Sequence, residues 1–150
     1  MRVWEATMQY SLVSLGDPRQ IECPQDAVEY LANAFDEGPT VEWFFAILLD
    51  DKNHPIGRKV ISRGIANSTL VYPREVFKAA IIAGATSILV SHNHPSGDPA
   101  PSSADINMTR KLNEAGHCLD IPVRDHVIVG HKESDPKGVG YYSFSDAGLL

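Results

Sequence analysis

The chain has 150 residues, with 13 Lys plus Arg against 19 Asp plus Glu and a formal net charge of −6. A domain of this length buries roughly 70% of its unfolded surface, enough for a core without covalent staples, and the acidic balance disfavours generic binding to phosphate backbones. Two distant cysteines, Cys23 and Cys118, fit free thiols in a cytoplasmic protein, and the longest apolar run, residues 43–49, is far too short for a membrane span.

Residues 1–22 carry weak signals, a strand over 10–15 and a turn at Gly16-Asp17-Pro18, and no function is placed there. From Pro24 the pattern turns helical, with Val28, Leu31, Ala32 and Phe35 on one face and an end before Gly38-Pro39. Segment 41–50 is apolar on both alternating faces, as in a strand covered on two sides, with Glu42 the single acid near its start. A turn over 50–55 leads into a second strand of the same hairpin, 56–65. Pro73 opens a helix that presents Val76, Ala79, Ala80 and Ala83 along one face and stops at Gly84. Segment 86–91 is a short buried strand, 103–115 a helix, and two more strands follow at 122–129 and 139–144 around a polar loop over 131–137. No repeat, low-complexity tract or long linker divides the chain, so one domain is expected over 1–150.

The stretch from Ser91 to Asp105 concentrates the chemistry. His92 and His94 stand at i and i+2 at the end of an extended segment, so both imidazoles project to one side and can meet one ion. Asp105 opens the next helix on the stripe of Met108, Leu112 and Ala115, so it faces inward, where an unpartnered carboxylate is costly and a metal ion removes the cost. Two histidines and one carboxylate leave a fourth tetrahedral position to water, the layout of a catalytic rather than a closed zinc site. Ser102 and Asp105 also form a Ser-x-x-Asp capping box, and the two readings are compatible.

His92-x-His94-Pro95, then Ser102, then Asp105, with Glu42 upstream, resembles the JAMM (MPN+) metalloprotease signature. The fuller wording is similar to the RadC family: Tyr72-Pro73-Arg74-Glu75-Val76-Phe77, His92-Asn93-His94-Pro95-Ser96-Gly97, Asp125-His126-Val127-Ile128-Val129-Gly130 and Tyr142-Ser143-Phe144 carry the likeness over roughly residues 25–150. The resemblance implies an α/β fold, a mixed sheet flanked by helices of the JAMM/MPN (cytidine-deaminase-like) kind. It also implies Zn2+ held by His92, His94 and Asp105, whose bound water has its pKa lowered toward about 7. In such a site Glu42 takes the proton of that water and passes it to the leaving amine. Ser102 hydrogen-bonds the tetrahedral intermediate, a contribution of about 3 kcal/mol in other acyl-transfer sites. The implied reaction is hydrolysis of an amide or isopeptide bond in a protein or peptide substrate.

Other residues stay open. Asp125-His126 reads equally as a carboxylate–histidine orienting pair beside the site or the substrate and as a strand-end pair held for packing. Arg74 at a helix start is an anion-binding candidate or a solvated arginine, and His117, Cys118 and His131 lack ligand spacing that would join them into a site. Two rival functions remain: a DNA-associated accessory factor of the RadC type, weakened by the acidic charge and by the absence of a helix-hairpin-helix region, and a metal-bound interaction module without turnover. A homo-oligomer is compatible with all three. Arg124 before Asp125 and the length of the loop over 131–138 depart from the family pattern.

Overall fold

A computed structural model of the chain describes residues 1–5, 7, 9, 19–36, 40–64 and 71–150. The strand expected over 10–15, the turn at Gly16-Asp17-Pro18, the Gly38-Pro39 helix stop and Ile65 lie outside those residues. The elements are α1 Pro24–Tyr30, β1 Glu42–Leu49, β2 Pro55–Gly64, α2 Pro73–Ala83, β3 Ser87–Asn93, α3 Ser103–Leu119, β4 Val123–Val129 and β5 Tyr141–Ser143. The strands form one mixed sheet in the order β2-β1-β3-β4-β5, parallel between β3 and β4 and antiparallel elsewhere. Helices flank this sheet, which is the α/β class expected.

All of β1 is buried, and its alternation divides the core in two. Phe44, Ala46 and Leu48 join Val76, Phe77 and Ala80 of α2 and Leu112 of α3 on one face. Trp43, Phe45, Ile47 and Leu49 pack with Ala27 and Leu31 on the other. A strand between two such layers must be apolar on both sides, which explains why its sequence shows no polar alternation. β1 and β3 run antiparallel with Phe44 opposite His92, so the start of one strand lies beside the end of the other. That register brings Glu42 to the two histidines.

Two helices differ from expectation. The α-helical part of α1 ends at Tyr30, because Ala32 N–H and Ala34 N–H reach back only three residues, to Glu29 and Leu31. The tightened turns keep Leu31, Ala34 and Phe35 packed with the sheet residues of that face. α3 instead continues four residues beyond position 115, to Leu119. Gly116 does not stop it. A Cβ there would sit 2.7 Å from the Ile121 carbonyl oxygen, so the glycine serves the close approach of the helix to the chain that follows. The left-handed residue that ends α3 is Asp120, at φ 55°, with Ile121 N–H closing on the Gly116 carbonyl at 3.0 Å.

Candidate metal centre

β3 delivers His92 as a fully buried side chain and His94 just beyond the strand end. Across from them, the first turn of α3 presents Asp105, 5% exposed. Its place is set by the expected capping box: Ser102 Oγ accepts the Asp105 N–H at 3.1 Å, and Ser102 N–H donates to Asp105 Oδ2 at 2.8 Å. His92 Nε2 lies 3.1 Å from His94 Nε2 and 3.3 Å from Asp105 Oδ1, and His94 Nε2 lies 3.3 Å from Asp105 Oδ2. Zinc bonds of about 2.0–2.1 Å in a tetrahedron give ligand–ligand edges of about 3.3 Å. The spacing therefore fits one ion held by all three side chains. Among the described residues no second group of three such donors comes together, and His117, Cys118 and His131 belong to none.

The donors are oriented from behind. His94 Nδ1 donates to the Asp98 carbonyl at 2.8 Å, which leaves Nε2 as the nitrogen facing the centre. Burial disfavours charge on His94, but Asp105 and the Asp98 carbonyl outweigh it and the pKa is raised. Burial likewise opposes the Asp105 carboxylate, yet the two imidazoles hold its pKa far below the ordinary carboxylate range. Glu42, 7% exposed, places Oε1 3.8 Å from His92 Nε2, beside the donor triangle.

His126 is fully buried and sits against the centre, with its Nε2 2.8 Å from His92 Nδ1 and its Nδ1 2.6 Å from Thr109 Oγ1. Burial first, then the neighbouring His92, pushes its pKa well below the ordinary imidazole range. Asp125 does not pair with that ring. Successive strand residues face opposite ways, and the Asp125 carboxylate accepts from Ser143 Oγ at 2.6 Å and Ser145 N–H at 2.9 Å, tying β4 to the C-terminal turn. Thr109 was invisible as a functional residue because a threonine inside a helical pattern reads as a neutral polar position. Arg74 lies 4.5 Å over the Tyr72 ring and 3.6 Å from Glu75, at the exposed start of α2.

Protonation of His126 gives a sign-defined stability effect in the metal-free protein. The unfolded ring takes a proton below its ordinary value of 6.5 while the folded ring stays neutral, so stability falls as pH drops below that value, by up to about 1.4 kcal/mol per pH unit. His94, with a raised pKa, contributes stability already complete below 6.5, and Asp105 contributes stability lost only below 3.8, so neither changes between those values. Urea unfolding of the chelator-treated protein at pH 6.5 and 5 measures the slope. A slope unchanged by His126→Gln would assign it elsewhere.

A groove of about 430 Å³ opens beside His94, between α1 with the turns after it and the ends of β3 and β4. Leu31, Phe35 and Val129 give it apolar lining, and Glu29 and Asp36 add two acids.

A helix-flanked mixed sheet with two imidazoles and a carboxylate converging at the end of its central strand is the arrangement of a JAB/MPN-type domain. Residues 21–149 match the family described as the RadC-like JAB domain, and the chain belongs to that family. It is 41% identical over 138 residues to a UPF0758 protein of Finegoldia magna, covering 92% of this chain and 61% of that protein. It is 49% identical over 110 residues to one of Trichlorobacter lovleyi, covering 73% of this chain and 44% of that protein. A third relative, from Caldanaerobacter subterraneus, is 42% identical over 138 residues, with 89% and 57% covered. The chain thus spans about half the length of the curated relatives it matches. Among the described residues no helix is long and apolar enough to cross a membrane.

Proposed function

We propose that the chain is a zinc-dependent hydrolase that cleaves an amide or isopeptide bond in a protein or peptide substrate. The observation that carries this reading is the donor triangle of His92, His94 and Asp105, with edges of 3.1 to 3.3 Å, beside the Glu42 carboxylate. A bound zinc would polarise the scissile carbonyl and lower the pKa of a coordinated water toward about 7.

The remaining work falls to the chain. Glu42 lies near enough to the triangle to accept a proton and, from the same oxygen, hand it to the departing amine. Ser102 is exposed at the helix start and its Oγ already accepts the Asp105 N–H, so the hydroxyl hydrogen is left to donate to a developing oxyanion.

Metal analysis tests the centre. Zinc is expected near one equivalent in the wild type, with affinity reduced by more than about 100-fold in His92→Ala and in Asp105→Ala, beyond the loss from deleting a residue that only supports a ligand. Full occupancy in both variants would end the metal reading. A salt-dependent mobility shift with duplex DNA near physiological ionic strength would favour the accessory-factor reading instead.

A further inference from the structure

We infer that Thr109 and His126 are positioning residues that fix the tautomer of His92 and so decide that its Nε2 is the nitrogen that serves the centre. The inference rests on the metal-centre reading above. Its evidence is a closed chain of short contacts: His92 Nδ1 to His126 Nε2 at 2.8 Å, His126 Nδ1 to Thr109 Oγ1 at 2.6 Å, and Thr109 Oγ1 to the Asp105 carbonyl at 2.7 Å. All three side chains are buried, so water does not compete for these bonds.

The polarity of the chain follows from its last link. A carbonyl oxygen only accepts, so the Thr109 hydroxyl hydrogen must point at Asp105; turning it toward His126 would leave two acceptors facing each other at 2.7 Å. Thr109 Oγ1 then accepts, which makes His126 Nδ1 the protonated nitrogen and His126 Nε2 the bare one. His92 Nδ1 must in turn carry hydrogen, which makes Nε2 the ring nitrogen free to serve the centre, 3.3 Å from Asp105 Oδ1. His94 reaches the same state by a separate route through the Asp98 carbonyl. The Asp105 main chain thereby orders the imidazole that its own side chain faces. Phe144, stacked on His126 at 4.7 Å, and Phe44, stacked on His92 at 5.7 Å, hold the two rings in plane.

Long-range proton–nitrogen correlation on the metal-free, histidine-labelled wild type reads the tautomers directly. His92 and His126 are both expected with Nδ1 protonated, and His126 with Nε2 bare; a bare Nδ1 on either ring overturns the inference. Thr109→Val is expected to switch His126 to the Nε2-protonated form and to lower zinc affinity 10- to 100-fold by chelator competition, as loss of a supporting partner does. Thr109→Ser, which restores the hydroxyl, is expected to recover the wild-type tautomers and affinity. Equal affinity in the valine and serine variants would also overturn it, and the wild-type spectrum decides the matter if the valine variant fails to fold. Expected tautomers in a wild type that takes up no zinc would refute the hydrolase reading while upholding the hydrogen-bond order.

Discussion

Glu42→Gln is expected to retain zinc at the wild-type level while turnover falls by about 10²- to 10⁴-fold, the usual worth of a positioned general base. Glutamine keeps the shape and buried position of residue 42 at the head of β1, so the antiparallel pairing with β2 and β3 survives. It cannot accept a proton, and that is the one property the proposed step requires. His92, His94 and Asp105 are untouched, so metal content separates loss of chemistry from loss of the centre. The substrate for the comparison is whichever member of a diverse peptide pool the zinc-loaded wild type cuts, scored by mass spectrometry of the new termini. Undiminished cleavage by Glu42→Gln would remove this carboxylate from the mechanism.

Phe44→Ala carries the largest expected cost in stability. The ring is fully buried, packs with the α2 and α3 layer, lies parallel to His92 at 16° and meets His126 edge-on at 5.5 Å. Truncating such a phenylalanine removes its transfer free energy and leaves a cavity, together about 3–5 kcal/mol. The cavity would open beside the two imidazoles, so zinc affinity should fall along with the urea midpoint. A loss below about 1 kcal/mol would mean that the neighbouring side chains collapse into the gap and that the rings do not depend on it.

The donor triangle was legible because its parts are short-range. His92 and His94 need only strand alternation, and Asp105 needs only a cap and a helical stripe. Glu42 stood out in the pattern only as the acid in an otherwise apolar strand; its link to the site came from the family resemblance, and its contact with His92 depends on the register of β1 against β3. Thr109 and His126 were not legible in the same way. Their bond spans 17 residues and two elements, and nothing local marks a threonine on α3 as facing a histidine on β4. The Asp125-His126 dipeptide was read equally as an orienting pair and as a packing pair; the two part to opposite faces of the strand, His126 to His92 and Asp125 to Ser143 and Ser145. Helix limits failed for a related reason. Gly116 has the look of a stop, but its role is fixed by Ile121, which the helical pattern does not contain. The early end of α1 had no local signal, since Leu31 is an ordinary helix former rather than a breaker.

The uninterrupted run of α3 has a mechanical consequence. Asp105 and Gly116 stand roughly 16 Å apart on one hydrogen-bonded rod, the first held at the imidazoles and the second seated against a neighbouring carbonyl. Such a rod carries a displacement along its length, so a change in how its far end seats is expected to reach the capped carboxylate at the other. Swapping residues around that seat is expected to shift ion affinity at the proposed centre without altering a single donor atom.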